Sequence, residues 1–509
     1  MSTTVPTRSL PAHHTVTPTT GEPVVRRLRG RHVEVQHGLV DVSFARQGWN
    51  SWSPTAWQPL RDRPWRVWGD PDRSLTAEDV ATDDGDVHRG YLVGAVQDST
   101  GATVLLGALT AISAQVDAHP DVLVGHCDEE TEWFVATGSE EEVFERFGEA
   151  LAAVLGVAER SSVAPSGRHA GPVWSSWYSW FEEVTQDIVV EEVPHAADLG
   201  YDVVQIDDGW ERAVGDWWPN ADFSRGMADV AARITDAGMR AGLWLSPFIA
   251  MPEAPVAREH PEFFLRRGEQ VMAAGYNWGR HYWALDLSRD DALEWLSHEI
   301  ARIVGWGYSY LKIDFIYAGA LAADRAVDMP RHLAYRRGLE AVRRAAGDDV
   351  YVMGSGAVVA PSLGVLDGMR VGPDTAPYWD NGCRPGDPSG PAVANAVRNS
   401  LSRLWLKRWI DIDPDVVFAR TRGSLLSPEA NRLTQDLARV CGVVGCSDPR
   451  SWLTDEEADQ ISALNAEARR GFRVERLSRH RFTVEGGREV DFGAWLSPRG
   501  RISDRLVVK

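Results

Sequence analysis

The chain has 509 residues, too many for one ordinary core, so two or three domains are expected. Its apolar content of 44% and charged content of 25% are ordinary globular values, and no run of about 18 apolar residues offers a helix across a membrane. A formal net charge of −20 repels polyanions and argues against nucleic acid as a partner, although solubility alone accounts for such a charge.

Residues 1–23 are rich in Thr, Pro and His and lack the apolar core of a secretion signal; they read as a flexible leader to a cytoplasmic protein. Residues 24–165 read as a β-sandwich domain. Short extended segments such as Val33-Glu34-Val35 and Thr103–Leu106 are separated by turn formers such as Asp83-Asp84-Gly85, and one helix with an acidic start is expected over Glu140–Leu155. Ser161–Gly171 is a Ser/Pro/Gly linker. Apolar strands then alternate with amphipathic helices: strands at Val173–Tyr178, Val203–Ile206, Arg240–Leu245, Tyr308–Ile313, Val350–Met353 and Gly368–Val371, and helices at Asp187–Asp198, Met227–Ala237, Ala292–Val304, Arg331–Ala346, 391–407 and 428–440. Repeated β-then-α units over residues 166–470 predict a parallel (β/α)8 barrel, and no Gly-x-Gly-x-x-Gly turn favours a doubly wound sheet with a dinucleotide site. Phe482-Thr483-Val484 and Leu506-Val507-Val508 predict a small β-sheet domain over 471–509.

Two compositional features bear on function. The cysteines at 127, 383, 441 and 446 lack paired metal-site spacing and read as reduced thiols. The 22 tryptophans are several times the usual number. Indole faces pack on the apolar face of a pyranose, so a cleft combining Trp with carboxylates is a sugar-site signature; packing in the core competes with that reading for every Trp.

Barrel enzymes place their chemistry at the C-terminal ends of the strands. The fourth strand ends Tyr310-Leu311-Lys312-Ile313-Asp314, and side-chain alternation sends Lys312 and Asp314 to the barrel mouth, where the Lys keeps the carboxylate ionised as a nucleophile requires. An internal ion pair is the competing reading. The sixth runs from Asp367 through Arg370 to Asp374, in a Gly/Pro loop where a carboxyl is placed to act as an acid; a turn cap competes. Asp207-Asp208 end the second strand, a costly pairing unless they bind sugar hydroxyls or a metal, and the absence of a strand-tip His favours the sugar. Trp244 faces the mouth on strand three; strand one carries Trp177; Trp52 lies in the aromatic loop Gly48–Pro54. Ser288 reads as the N-cap of the following helix and Asp286 as structural.

Val204–Trp210, Gly242–Phe248, Tyr310–Gly319 (YLKIDFIYAG) and Asp367–Trp379 (DGMRVGPDTAPYW), with fainter support from Asp413-Pro414-Asp415, resemble glycoside hydrolase family 36, in particular its shorter bacterial α-galactosidases, over residues 40 to 509. The resemblance implies a β-sandwich, a (β/α)8 barrel and a C-terminal β domain, no metal or organic cofactor, and α-galactoside oligosaccharides as substrates. It implies double displacement with Asp314 as nucleophile and Asp374 as acid and base. Asp207 and Asp208 match the pair holding the 4- and 6-hydroxyls; Trp244, Lys312 and Arg370 match other sugar contacts, as does Trp177 less closely, and Trp52 matches an aromatic lent by the N-terminal domain. Gly354-Ser355-Gly356 stands where relatives often carry Cys, and Asp411-Ile412-Asp413-Pro414 where Asn before Asp-Pro is usual, departures that bear on substrate detail rather than on the reaction. A galactosyl transferase, a relative acting on α-GalNAc or β-L-arabinopyranosides, and a non-catalytic sugar-binding protein remain as alternatives, and nothing in the sequence sets the oligomeric state.

Overall fold

The computed structural model describes residues 12–15, 24–65, 67, 71–82, 85–110, 114–160 and 168–496, which fall into two compact units. The first comprises residues up to Gln47, Ala56–Trp65 and Asp84–Gly156; the second comprises Gly48–Thr55, Arg66–Asp83 and the rest of the chain. Trp52 therefore belongs with the second unit, although β-strands of the first flank it in sequence.

The first unit is built on one connected nine-stranded sheet. Its long partners, Val24–Gln36 and Val122–Gly138, run antiparallel, and the latter also pairs with Thr103–Ala108. Alternating apolar residues bury one face: Val33, Val35, Phe44, Val104, Leu106, Val116, Trp133 and Val135 share a core. The helix spans Glu140–Leu155. It starts at a capping box in which Ser139 and Glu142 bond each other's backbone N–H groups, and it stops at Gly156, whose φ of 67° favours glycine. Phe147 of this helix lies over Gly107, where an added Cβ would come within 2.4 Å of its ring. Of the expected leader, only Ala12–Thr15 is described, and it pairs in parallel with Val33–Gln36 instead of standing free; the remainder, with residues 161–167 of the linker and Leu506–Val508, lies outside the described residues.

The second unit carries the parallel barrel. Strand one is Pro172–Ser175, two Val203–Ile206, three Arg240–Leu245, four Tyr308–Ile313, five Tyr351–Gly354, six Gly368–Arg370 and eight Val444–Cys446. Strand seven comes in two pieces. Asp411–Asp413 pairs with strand six and Val416–Val417 with strand eight, and strand eight pairs with strand one, which closes the ring. Pro414 separates the pieces; it has no N–H for a ladder bond, and Asp415 turns the chain with φ 78°. Inward side chains Val173, Val203, Tyr310, Tyr351, Met353 and Val443 fill the lumen, so the barrel is a packed core.

Several details differ from expectation. Strand one ends at Ser175, and Trp177–Trp180 is a short helix. The helix over Asp290–Gly305 begins after Arg289; Ser288 does not cap it, because its hydroxyl accepts instead from the Val327 N–H at 3.1 Å. A further helix, Asp455–Arg470, starts at a Thr454/Glu457 capping box and precedes an antiparallel sheet of Glu475–Ser478, Arg481–Val484 and Arg488–Asp491. Among the described residues no helix is long and apolar enough to cross a membrane.

Candidate active site

Parallel strands bring their C-terminal ends to one rim, and there the chain opens into a cavity of about 490 Å³. Trp52, Trp177, Asp207, Asp208, Trp244, Lys312, Asp314, Arg370 and Asp374 all line it, so every candidate residue read from the sequence shares one space.

Asp314 is the first residue after strand four. Its N–H donates to Leu245 O at 2.7 Å, which continues the strand-three ladder by one residue and fixes the Cα. The carboxylate accepts from the Phe315 N–H at 2.9 Å and from the Trp244 indole at 3.1 Å. Phe315 adopts φ 53°, uncommon for a non-glycine, and this turn directs its N–H back at the carboxylate. Lys312 lies 4.0 Å from Asp314 but only 2.9 Å from Asp207 Oδ2, so its closer partner is Asp207 and not the strand-four acid. Those two carboxylates outweigh burial and hold the ammonium above its ordinary pKa.

Two strands along the sheet, Arg370 is buried at the end of strand six. Its guanidinium donates to Asp374 Oδ1 and lies 3.4 Å from Asp415 Oδ2, and the two carboxylates keep it charged despite burial, holding its pKa well above the ordinary value. Asp415 also accepts from the Thr375 N–H at 2.8 Å and from the Tyr178 hydroxyl. Thr375 follows Asp374 directly, so Asp415 anchors the backbone on which Asp374 stands. The Asp374 side chain is 37% exposed, against 9% for Asp314.

Asp207 accepts from Lys312, from Gln205 Nε2 at 2.5 Å and, through its backbone N–H, is tied to Ser176 Oγ at 2.9 Å. Asp208 Oδ2 accepts from the Trp278 indole at 2.8 Å. Trp52 donates its indole N–H to Ser355 Oγ at 2.9 Å and carries the Arg370 guanidinium 5.7 Å from its ring centre. Its loop is held by buried Arg403, which donates to the carbonyls of Asn50, Ser51 and Val371 at 2.7–2.9 Å.

Sequence reasoning missed four contributors. Trp278 sits at the turn of a hairpin, Ala273–Asn277 with Arg280–Ala284, inserted between strands three and four; Asn277-Trp278-Gly279 is a turn signal that would have found it. Glu211 opens the small hairpin after strand two, facing Asp208. Asp415 and Tyr178 support the Arg370 side, and the Asp-Pro-Asp turn was their one visible trace. Among the described residues no group of three or more His, Cys, Asp or Glu is arranged to hold a metal ion.

Comparison with known proteins bears on this geometry. The family model described as Melibiase matches residues 167–332. The fold is similar to that of TtGalA, an α-galactosidase from Thermus thermophilus solved with p-nitrophenyl α-D-galactopyranoside, at TM-score 0.84 and 39% identity over 93% of this chain and 98% of that one; a second structure of TtGalA is a complex with stachyose. A family 36 α-galactosidase, AgaA from Geobacillus stearothermophilus, shares the fold at TM-score 0.61 and 12% identity, over 90% of this chain and 67% of that one. The bifunctional α-galactosidase/sucrose kinase AgaSK of Mediterraneibacter gnavus is 28% identical over 166 residues, which is 30% of this chain but spans only 17% of the length of that relative. With 39% identity across nearly the whole of both chains, this chain belongs to the melibiase family, the α-galactosidases of glycoside hydrolase family 36.

Proposed function

We propose that the chain is a retaining α-galactosidase that removes terminal α-D-galactosyl residues from oligosaccharides of the melibiose and raffinose type. One observation carries the reading: Asp314 and Asp374, with the seven other candidate residues, line a single sugar-sized cavity at the barrel mouth. The Thermus thermophilus relative, captured with an aryl α-galactoside and with stachyose, supports the substrate class.

In this mechanism Asp374 gives its proton to the leaving glycosidic oxygen while Asp314 attacks C1 from the opposite face. The bond to the leaving group breaks, and a β-linked galactosyl ester forms on Asp314. Asp374, now a base, takes a proton from water, which displaces the ester and restores the α configuration. Trp244 and the Phe315 N–H hold the Asp314 carboxylate in line, so the attacking oxygen needs little reorganisation. Arg370 fixes the Asp374 carboxyl through its own guanidinium. Asp207 and Asp208 take the 4- and 6-hydroxyls, Lys312 adds charge at the sugar edge, and Trp52, Trp177 and Trp244 supply aromatic faces. No cofactor takes part in these steps. A cytoplasmic setting, which keeps thiols reduced, suits the four unpaired cysteines. The same reading keeps residues 24–165, 166–470 and 471–509 as sandwich, catalytic barrel and C-terminal sheet.

Hydrolysis of melibiose, raffinose and p-nitrophenyl α-galactoside, with the first-formed sugar read by NMR, tests the proposal. α-Galactose is expected as the initial product. Initial β-galactose would overturn the retaining mechanism, and absence of turnover on all three would overturn the substrate class.

A further inference from the structure

Three carboxyls crowd the end of strand two, and one ammonium reaches them. Asp207, Asp208 and Glu211 are 2%, 4% and 8% exposed. Lys312 is committed to Asp207, with Nζ 2.9 Å from Oδ2. Among the described residues, Asp208 has only the neutral Trp278 indole as a side-chain donor. Glu211 faces Asp208 from the first residue of its hairpin, and its Oε2 is buried without a hydrogen-bond donor among the described residues. Two further negative charges in this space would each lack a counter-ion, which is among the costliest arrangements a protein interior can hold. The charged groups that face the pair are Asp207 beside it and, behind Asp207, Lys312; the sum over the four is two negative charges in excess unless a proton is retained.

We propose that Asp208 and Glu211 hold one proton between them, and that Glu211 is a positioning residue that keeps Asp208 neutral and aimed at the sugar. The shared proton supplies the hydrogen bond that Glu211 Oε2 otherwise lacks and locks the Asp208 carboxyl between two fixed donors, the proton on one side and Trp278 on the other. Burial pushes both acids above their ordinary range; the charge of Glu211 raises Asp208 further and that of Asp207 raises Glu211, in keeping with a proton kept at neutral pH. Asp207, paired with Lys312, stays the charged member. The adjacent acids Asp207 and Asp208 are thus chemically different groups, and it is Glu211, three residues on, that makes them so. Loss of the proton leaves two facing carboxylates that repel, and Asp208 swings from its place.

This inference rests on the galactosidase reading, and its test is a binding measurement that does not require Asp314 or Asp374 to act. Titration of the full chain with galactose by calorimetry, from about pH 5 to about pH 10, is expected to give a dissociation constant that climbs on the alkaline side by about tenfold per pH unit once the proton leaves. Glu211→Gln replaces the shared proton with an amide donor to an ionised Asp208, so the alkaline rise is expected to vanish while neutral-pH affinity stays within about tenfold. A merely structural Glu211 would weaken binding equally at every pH; an E211Q variant that keeps the wild-type alkaline rise therefore overturns the proposal. Should E211Q fail to fold, infrared spectra decide: wild type is expected to show a protonated-carboxyl carbonyl band at neutral pH that Asp208→Asn lacks, and a wild type without that band overturns it. Binding lost in EDTA and restored by a divalent cation would assign the three acids to a metal and also overturn it. Absence of galactose binding at every pH would sink the galactosidase reading itself, and this inference with it.

Discussion

Asp314 and Asp374 stand past the ends of two strands of one barrel, yet the strands that carry them are built differently. Strand four is six residues long, laddered to strand three from Ala241 to Leu245 and to strand five from Tyr351 to Gly354, and Asp314 follows it at once. Strand six has three residues, its neighbour strand seven is broken at Pro414, and Asp374 comes four positions after Arg370 in a loop. The ladder, the Phe315 N–H and Trp244 hold the first acid; Arg370 and Asp415 hold the second. A nucleophile attacks one carbon along one line and gains from a fixed backbone. In the proposed mechanism an acid that must serve a departing sugar and then a water gains from a more exposed seat, and 37% exposure of Asp374 against 9% of Asp314 suits that division.

The largest test of this contrast is Asp314→Ala. Loss of the nucleophile is expected to lower kcat on p-nitrophenyl α-galactoside on the order of 10³-fold or more. Added azide, entering from the vacated face, is expected to yield β-galactosyl azide, identified by NMR; near-normal activity of the variant would refute the assignment. Asp374→Ala comes next. General acid help is worth about 10²–10⁴-fold where the leaving group is poor, so melibiose turnover should fall by that order while an activated aryl galactoside loses less. Equal losses on both substrates would mean that Asp374 is not the proton donor.

How much of this contrast was legible beforehand follows the same divide. Tyr308–Ile313, Arg240–Leu245 and Val203–Ile206 were read to the residue, because unbroken apolar strands between amphipathic helices leave a clear pattern. Strand seven was not read as a strand: two short pieces around Pro414 have too few residues for any period to register. Asp415 was quoted as part of a motif, but its bonds to Thr375, Arg370 and Tyr178 join segments up to 237 residues apart, and no local pattern encodes such a meeting. Trp52 was assigned to a domain by its neighbours in sequence, whereas its loop clusters with the barrel unit because Arg403 clamps its carbonyls. The Thr454-x-x-Glu457 box was readable in principle and would have predicted the helix that follows.

Asp415→Asn probes the side-chain support on the Asp374 side alone. The amide keeps the volume but loses the charge that Arg370 shares between Asp415 and Asp374, and it can no longer accept with equal strength from both Tyr178 and Thr375. A small displacement of Asp374 is the expected result, with kcat down about 10–10²-fold and KM changed less. A comparable substitution at Ser288, which supports the Val327 backbone away from the cavity, is expected to leave kcat within about twofold. If Asp415→Asn raises KM and spares kcat, Asp415 serves sugar binding and not the acid.

The smallest effect concerns stability, and it comes from the break in strand seven. Burial and the neighbouring Asp415 raise the Asp413 carboxyl to about 6, while its oxygen accepts from the Asp415 N–H at 2.8 Å. An unfolded Asp titrates near about 3.9. Between those values the folded chain binds the extra proton, so rising pH favours the unfolded state across that window; the penalty is complete above about pH 6 and absent below about pH 4. Asp413→Asn cannot ionise and escapes it. The melting temperature of the variant, taken relative to wild type, is expected to rise as pH goes from about 4 to about 7, by an amount corresponding to on the order of 2 kcal/mol. On strand four, Lys312→Met removes the counter-ion of Asp207 and should destabilise at neutral pH, the opposite sign. A difference between Asp413→Asn and wild type that does not change with pH would mean that Asp413 is ionised throughout, and that the turn at Pro414 gains its hold on Asp374 without any cost in buried charge.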